Sequence, residues 1–368
     1  MRRSLLKSNA VLVVVSLALA ACSDDDSTPA TSTGAAGSGN AGSGNAGGGV
    51  GGSGGAVNND AGGVKVGLIT KETGNPFFAK MKEGAQAAAD AKGATLIAEL
   101  GAADNAAQVA AVTSQIAAGV KGILLVAADT TAIEPTIAEI KSKNVLVIAL
   151  DTPVKNDDTD ALFATDNKAA GKLIGQYAKA ALGAKAPKII TLDGPDGLTV
   201  SELRHNGFLE GFGIAGDAGA GGGDAGSGVA CARATMGSEA TGKDAATACL
   251  ATVPDVNLIY TVNEPVAAGA YAALQMANID PMKVLIVSVD GGCAGVRDVK
   301  GGKIGATSQQ YPLKMAQLGV DAVVTFAQTG AKPTPHYTDT GVNLISDKPQ
   351  TGVMSKDTTF GLANCWGM

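Results

Sequence analysis

The chain has 368 residues, of which 45% are hydrophobic and only 4% aromatic, and its formal net charge is -6. An acidic balance without any stripe of Lys and Arg argues against a nucleic-acid-binding protein. Because aromatic residues are so scarce, the adjacent pair Phe77 and Phe78 stands out.

The N-terminus has the pattern of an export signal. A basic stretch with paired arginines precedes the apolar run 10–20, which is too short to span a bilayer. Small residues then lead to Cys22, as in a bacterial lipoprotein signal in which this Cys is lipidated and becomes the mature N-terminus. An ordinary signal peptide is the alternative, and both Sec and twin-arginine export remain open. Residues 1–22 therefore predict a protein of the bacterial periplasm or cell envelope, attached to a membrane through lipid alone.

Residues 23–63 are rich in Gly, Ser and Ala and contain few apolar side chains of any size. Such a segment cannot bury a core, so it predicts a disordered tether with a root-mean-square reach on the order of 35 Å. The remaining residues, 64–368, suit one large domain or two lobes of ordinary size.

Strand and helix patterns alternate along the rest of the chain. The periodicity predicts strands at 64–69, 94–100, 122–128, 145–151, 161–165, 188–194, 257–263, 284–290 and 303–310, with helices at 76–92, 105–119, 132–144, 167–182, 202–216, 244–254, 264–277 and 312–328. The stretch 216–228 is predicted to be a surface loop, and the tail 332–368 shows no clear period. Near-continuous apolar strands are typical of parallel sheets buried on both faces. The alternation thus predicts two doubly wound α/β units.

Four cysteines follow Cys22. An even number in an oxidising compartment predicts two disulfides, for which three connectivities are possible. We favour Cys231–Cys249, which are close in sequence, and Cys293–Cys365, which would fix the tail; free buried thiols are the alternative.

Polar residues recur where the predicted strands end. They are Lys71, Asn75, Asp129, Asp151, Asn263, Glu264, Asp290, Gln309 and Gln310. Ligands bind at the carboxyl ends of strands in open parallel sheets, and two lobes that face each other at such ends form a cleft. Each residue alone could be a cap or a turn: Asn75 could cap the helix that Pro76 opens, and Asp151 could stabilise a turn. The recurrence at strand after strand favours a ligand site.

Six motifs carry a family resemblance, namely NPFFAKMKEGA, VIALDTP, ATDNKAAGKLIGQY, YTVNEPVAAGAYAAL, VSVDGG and GATSQQYP. In this order they resemble the ribose-binding group of the periplasmic sugar-binding proteins of ABC importers, which have the type I solute-binding fold. The full NPFF segment and the final NCWG are most similar to fructose-type members. The resemblance implies two doubly wound parallel-sheet lobes joined by a multi-strand hinge. The N-terminal lobe would be 64–165 plus about 311–340, and the C-terminal lobe 166–310 plus about 341–368.

The resemblance also implies a monosaccharide site. Asn75 would bind a hydroxyl and the Phe pair would pack against the ring. Further hydroxyl contacts would come from Asp151, Asn263, Asp290 and Gln310, with Lys71, Arg204 and Glu264 as additional polar candidates. Carboxylates, amides and cations suit hydroxyls, and aromatic faces suit C–H patches. Since adjacent helical residues point about 100° apart, we expect Phe77 and Phe78 to divide between the cleft and its rim.

Three departures from the ribose binders put ribose itself in doubt while leaving a monosaccharide or polyol. Thr152 stands where those proteins have Arg, and Glu202 matches a second ligand-binding Arg, although Arg204 lies nearby. An aromatic after the Gly-rich loop is replaced at best by Met236, so the Phe pair would be the main apolar surface for the sugar.

The remaining motifs do not support a nucleotide site, a metal site or a catalytic site. The stretch 237–244 nearly matches a P-loop, but Asp244 stands where Ser or Thr must hold Mg²⁺. His205 and His336 are too few and too scattered for zinc, and no nucleophile elbow is present. We therefore expect neither an enzyme nor a cofactor, and we expect Trp366 to pack the tail.

The predicted function is capture of a sugar by a monomer whose lobes close on the ligand and deliver it to an ABC permease. The alternative is a sensor that presents the sugar to a chemoreceptor or sensor kinase. A LacI-type regulator shares the fold, but it would need an N-terminal helix-turn-helix and a cytoplasmic chain.

Overall fold

The computed structural model describes residues 63–71, 75–214 and 228–367. The predicted signal peptide with Cys22, nearly all of the tether and most of the predicted Gly-rich loop lie outside these residues. No helix in the described part of the chain is long and apolar enough to cross a bilayer.

Strands and helices alternate through the described ranges. In chain order they are β1 (Lys65–Ile69), α1 (Pro76–Ala91), β2 (Thr95–Glu99), α2 (Asn105–Ala117), β3 (Gly122–Leu125), α3 (Glu134–Ser142), β4 (Leu146–Leu150), β5 (Ala161–Ala164), α4 (Asn167–Leu182), β6 (Ile189–Asp193), α5 (Thr199–Phe212), β7 (Val229–Ala234), α6 (Glu239–Leu250), β8 (Leu258–Thr261), α7 (Glu264–Met276), β9 (Leu285–Asp290), α8 (Cys293–Lys300), β10 (Ala306–Gln309), α9 (Pro312–Thr329), β11 (Tyr337–Asp339), β12 (Asn343–Ile345) and α10 (Thr358–Asn364).

The strands form two six-stranded sheets. The first has the order β2-β1-β3-β4-β5-β11, and the second has the order β7-β6-β8-β9-β10-β12. All neighbouring strands are parallel except β10 and β12, which pair antiparallel. Each sheet with its helices is a lobe, called here the first and the second lobe. The prediction of two doubly wound parallel-sheet lobes is confirmed.

The chain crosses between the lobes three times. The crossings follow β5, follow β10, and join β11 to β12. Helix α9 returns to the first lobe, where Met315, Val320 and Val323 pack with Leu124 and Ile148. These crossings form the multi-strand hinge.

The cores explain why the strands read as apolar runs. Every residue of β3 and β4 is buried, because α1 and α9 cover one face of the first sheet while α2 and α3 cover the other. Burial of each Leu or Ile side chain there stabilises the fold by about 2 kcal/mol. The second sheet is covered in the same way, by α4 and α5 on one face and by α6 and α7 on the other.

Helices α4 and α5 pack through glycines. A Cβ on Gly171 would overlap the carbonyl oxygen of Arg204, and one on Gly211 would overlap that of Lys172. The two backbones can approach this closely only because these positions lack side chains. This contact fixes where Arg204 stands relative to the second sheet.

Several elements differ from the sequence prediction, and the clearest cases are β3, α6, α8 and the tail. Strand β3 ends at Leu125 rather than at residue 128, where the chain already turns. Helix α6 begins at Glu239, earlier than predicted, because the Ser238 side chain accepts a hydrogen bond from the Thr241 amide. Helix α8 and the tail elements β11, β12 and α10 were not predicted. These short elements are stabilised by partners that are distant in sequence.

Both predicted disulfide pairs are present. Cys231 on β7 is bonded to Cys249 on α6, and Cys293 at the start of α8 is bonded to Cys365. The second bond joins the C-terminal tail to the second lobe.

Candidate functional site

A cavity of about 720 Å³ lies between the two lobes, at the carboxyl ends of the strands. The first lobe contributes residues that follow β1, β2, β3 and β4, and the second contributes residues that follow β6, β7, β8 and β10 and the last residue of β9. Nine of the ten predicted ligand-binding residues line this cavity, namely Lys71, Asn75, Phe77, Phe78, Asp151, Arg204, Asn263, Asp290 and Gln310. The strand-end rule thus brings side chains from both lobes to one place.

The aromatic wall comes from the first turn of α1. The Asn75 side chain accepts a hydrogen bond from the Phe77 amide at 2.9 Å, so Asn75 caps the helix as well as lining the cavity. The rings of Phe77 and Phe78 meet edge to face with their centroids 5.3 Å apart. Each side chain is only 3% exposed and each lines the cavity. The expectation that the two rings divide between the cleft and its rim is wrong, because both line the cavity and both are buried in the core of the first lobe.

A hydroxyl links Lys71 to the carboxylate of Asp151. Lys71 Nζ donates to Thr152 Oγ1 at 3.1 Å, and Thr152 Oγ1 donates to Asp151 Oδ2 at 2.9 Å. Lys71 Nζ also lies 5.7 Å from the centre of the Phe78 ring. The residue that departs from the ribose-binding pattern, Thr152, therefore connects a cation to the strand-end carboxylate. Asp151 has φ 61°, a left-handed conformation that is strained for a non-glycine residue and that recurs at binding sites.

On the second lobe, Arg204 and Gln310 converge on Asp290. Gln310 Nε2 donates to Asp290 Oδ1 at 2.7 Å, and Arg204 Nη1 lies 3.4 Å from the same oxygen. Arg204 is itself held by Asn167 Oδ1 and by the carbonyl oxygen of Val262, at 2.8 and 2.9 Å. The sequence placed Arg204 beside the strict match to a ligand-binding Arg, and the structure places it in the cavity.

Two buried acceptors at this site lack a hydrogen-bond partner among the described residues. They are Asp290 Oδ2 and Gln310 Oε1. An unsatisfied buried acceptor costs roughly 1–3 kcal/mol, which a hydroxyl donor in the cavity would recover. The donor set therefore suits a ligand that is rich in hydroxyl groups.

Burial raises the pKa of Asp290 to about 6. The charge of Arg204 and the hydrogen bonds from the side chains of Gln310 and Asn75 oppose this rise, whereas the charge of Asp151 adds to it. The same cavity residues that would bind a ligand thus determine how readily Asp290 ionises.

The sequence neighbours Asn263 and Glu264 differ in whether their side chains reach the cavity. Asn263 lines the cavity, where its Nδ2 donates to the Gly237 carbonyl oxygen at 2.9 Å and its Oδ1 caps α7 through the Val266 amide at 3.1 Å. Glu264 does not line the cavity. Its carboxylate accepts hydrogen bonds from the amides of Gly291 and Gly292, at 2.8 and 2.9 Å, and from Thr307 Oγ1 at 2.7 Å.

The prediction that Glu264 contacts the ligand is therefore corrected. Glu264 is the first residue of α7, and its side chain points away from the cavity. Its carboxylate fixes the turn after Asp290 by binding the amides of Gly291 and Gly292. Burial and the neighbouring charge of Asp290 raise the pKa of Glu264, whereas its three donors favour the carboxylate. Glu264 positions Asp290 instead of touching the cavity.

Sequence reasoning did not assign several lining residues to the site. They are Ala103, Ala128, Thr130, Thr131, Gly194, Pro195, Asp196, Gly197, Leu198, Val200, Gly237, Ser238 and Val262. Most of them follow a strand, so the strand-end rule applied to β6 would have found 194–200. The P-loop-like stretch contributes Gly237 and Ser238 through the turn before α6.

The remaining candidates have structural places. Asp129 lines the cavity while its carboxylate caps the amides of Thr131 and Ala132, which lower its pKa. Met236 lines the cavity with an exposed side chain, in the place where an aromatic was expected. His205 and Asp193 are buried in the second lobe, where His205 Nδ1 lies 2.7 Å from Asp193 Oδ1. His336 contacts the Thr159 carbonyl oxygen.

The sequence comparison decides the family. Residues 66–332 match the sequence profile of the periplasmic binding protein domain. The chain belongs to this family. The matched segment begins in β1 and includes every strand except β11 and β12.

The relatives of this periplasmic binding protein are sugar binders. The ribose import binding protein of Haemophilus influenzae is 31% identical over 256 residues, which cover 69% of this chain and 82% of that protein. The ribose import binding protein of Escherichia coli K12 is 28% identical, with 70% of this chain and 82% of that protein covered. A crystal structure of a galactofuranose binding protein superposes with a TM-score of 0.70 at 23% identity, covering 82% of this chain and 97% of that one.

These findings place the protein among the periplasmic sugar-binding proteins of ABC importers and confirm the type I solute-binding fold. The relatives are substrate-binding proteins of transporters rather than enzymes, which confirms the expectation of a non-enzyme. The family implies a bacterial periplasmic location.

Proposed function

We propose that this protein captures a neutral monosaccharide, a pentose or hexose of the ribose or fructose type, and delivers it to an ABC permease. The observation that carries the proposal is the convergence of an aromatic wall from the first lobe and hydrogen-bonding carboxylate, amide and guanidinium groups from both lobes on one cavity. Sugars need both surfaces, because hydroxyls alternate with C–H patches around the ring.

The charges at the cavity favour a neutral ligand. Lys71 and Arg204 are the cationic side chains in the described lining, and each is already linked to a carboxylate, through Thr152 in one case and directly in the other. The lining also contains Asp129, Asp151, Asp196 and Asp290, so carboxylates outnumber cations. A phosphate or a sugar acid would meet repulsion, whereas a neutral polyol can donate hydrogen bonds to these oxygens.

Hinge closure follows from the distribution of these groups. Asn75, Asp151 and the Phe pair belong to the first lobe, whereas Arg204 and Asp290 belong to the second. A ligand that contacts both sets binds more tightly when the lobes are together and so shifts the population toward the closed state. The permease would recognise that state.

Ligand identity is tested by calorimetry on the purified protein with pentoses, hexoses and polyols. We expect at least one neutral sugar to bind with a micromolar or tighter Kd, and the corresponding sugar phosphate or sugar acid to bind far more weakly. Absence of binding by every neutral sugar at millimolar concentration would refute the proposal.

Attachment to a membrane is a separate part of the proposal, since the sequence predicts lipidation of Cys22. Metabolic labelling with a fatty acid should mark the wild-type protein and leave Cys22→Ser unlabelled. Equal labelling of the two would contradict lipidation at this residue.

A further inference from the structure

The C-terminal tail contacts the aromatic wall, formed by Phe77 and Phe78, on the side away from the cavity. Trp366 is 3% exposed and packs within the core of the first lobe, although it follows a cysteine that is bonded to the second lobe. Its ring lies edge to face with Phe77, with the centroids 5.1 Å apart. Trp366 is not among the residues that line the cavity, so it can act on a ligand only through its neighbours.

Three further contacts fix this tryptophan. Its Nε1 donates to the carbonyl oxygen of Gln310 at 3.0 Å, at the hinge crossing between β10 and α9. Its carbonyl oxygen accepts a hydrogen bond from the Cys293 amide at 2.9 Å. The Cys293–Cys365 disulfide holds the preceding residue to the start of α8. One short segment therefore contacts the first lobe, the hinge and the second lobe.

The contacts lead to the cavity on two routes. Through Phe77, the Trp366 ring meets an aromatic side chain that lines the cavity. Through Gln310, it meets a residue whose side chain donates to Asp290 at 2.7 Å. Both routes reach groups that the proposed function assigns to the sugar.

We propose that Trp366, held by the Cys293–Cys365 disulfide, is a positioning residue for the ligand site. It fixes the orientation of the Phe77 ring and restrains the hinge at Gln310, so that the aromatic wall keeps its shape when the lobes move. This inference rests on the proposed function only in that the ligand used to test it is a sugar.

A double-mutant cycle tests the route through Phe77. Aromatic pairs contribute roughly 0.5–1.5 kcal/mol beyond burial, so we expect Trp366→Leu to raise the Kd about tenfold. Trp366→Phe keeps an aromatic edge and should stay within about threefold of the wild type. In a Phe77→Leu background, Trp366→Leu should raise the Kd by a clearly smaller factor than in the wild type, because only the route through Gln310 remains to be lost. Equal losses in the two backgrounds, or an unchanged Kd for Trp366→Leu, would overturn the proposal.

The two disulfides provide a matched comparison that does not alter any aromatic residue. Replacing Cys293 and Cys365 by Ser should weaken sugar binding several-fold, measured well below the melting temperature. Replacing Cys231 and Cys249 by Ser removes a disulfide from the same lobe, and it should leave the Kd within about twofold. Equal effects of the two replacements on the Kd would show that only general stability is involved and would overturn the proposal.

The indole itself gives a readout that needs no ligand. Trp366 is the single tryptophan of the chain, so all indole fluorescence reports on the tail. We expect the emission of the Cys293 and Cys365 double variant to shift to longer wavelength, while that of the Cys231 and Cys249 variant stays as in the wild type. A wild-type protein that binds no sugar would refute the proposed function, whereas unchanged emission in both variants would refute the tail's role alone.

Discussion

At the scale of single residues, Asp290 combines burial, an unusual backbone conformation and an unpaired carboxylate oxygen in the described part of the cleft. It is buried, it has φ 137°, and its Oδ2 lacks a partner among the described residues. Glu264 holds the turn that follows it, while Arg204 and Gln310 converge on its other oxygen. An acceptor supported in this way is suited to a hydroxyl donor.

The raised pKa of Asp290 gives a pH-dependent binding prediction. In the ligand-free protein, the carboxyl keeps its proton up to about pH 6. Since the unfolded chain loses that proton at a lower pH, the contribution of this group to the free energy of unfolding falls as pH rises toward 6. A sugar that donates to the carboxylate favours the ionised form, so binding lowers the pKa and releases a proton.

We therefore expect sugar affinity to rise between about pH 5 and pH 7, with proton release seen by calorimetry in buffers of different ionisation enthalpy. Asp290→Asn should weaken binding at pH 7 by about 2 kcal/mol, because a charge-assisted hydrogen bond is lost. It should also abolish most of the pH dependence. A variant that keeps the wild-type pH profile would show that another group releases the proton.

At the scale of elements, sequence periodicity was most successful where helices and strands are long and regular. Helix α4 was predicted with the observed bounds, and α1 was predicted to within one residue. Helix α8 and the tail strands escaped prediction because β12 pairs with β10 and α10 packs against α8, both through contacts distant in sequence.

The site residues likewise divide into those that local sequence predicts and those that depend on contacts distant in sequence. Strand-end position identified Asp151 and Asp290, since parallel strands bring their carboxyl ends to one edge. It could not separate Asn263 from Glu264, because one step along the helix decides which side chain faces the cavity. It gave no sign that Trp366 meets Phe77, a contact between the two ends of the folded region.

The glycine contact between α4 and α5 leads to a prediction at this scale. Gly171→Ala places a methyl group against the Arg204 carbonyl oxygen, so the helices must separate and Arg204 must shift. We expect a loss of about 2 kcal/mol in the free energy of unfolding, within the range for overpacking, and a Kd at least tenfold weaker. Chemical denaturation and calorimetry measure the two quantities.

Gly211→Ala is the matched control, because it overpacks the same helix pair farther from the cavity, at Lys172. It should destabilise the protein to a similar extent with a smaller change in Kd. Equal changes in Kd for both variants would show that the contact at Gly171 has no special effect on Arg204.

At the scale of the whole molecule, the lobes touch across the cleft without any ligand group between them. Thr199 Oγ1 of the second lobe donates to the Pro153 carbonyl oxygen of the first lobe at 2.9 Å. Thr199 is not among the described residues that line the cavity, so this hydrogen bond can stabilise the closed arrangement of the lobes without contacting the ligand. Because the bond breaks when the lobes part, it should slow opening.

Thr199→Val should therefore raise the rate of sugar dissociation about fivefold, as expected for the loss of one hydrogen bond of about 1 kcal/mol, with little change in association. Stopped-flow fluorescence measures both rates. Thr247→Val is the control, since the Thr247 hydroxyl donates within α6, to the Lys243 carbonyl oxygen, and lies away from the cavity lining of the described residues. A dissociation rate equal to that of the wild type would show that the Thr199 bond does not restrain opening.

The three crossings between the lobes also constrain how the polypeptide acquires its structure. The first lobe needs α9 to cover the apolar face of α1 and needs β11 to complete its sheet, and the second lobe needs β12. The first lobe cannot complete its sheet until β11, which ends at Asp339, has been synthesised, and the second lobe cannot complete its sheet until β12, which ends at Ile345, has followed. Both lobes thus complete their sheets late in synthesis and almost at the same time.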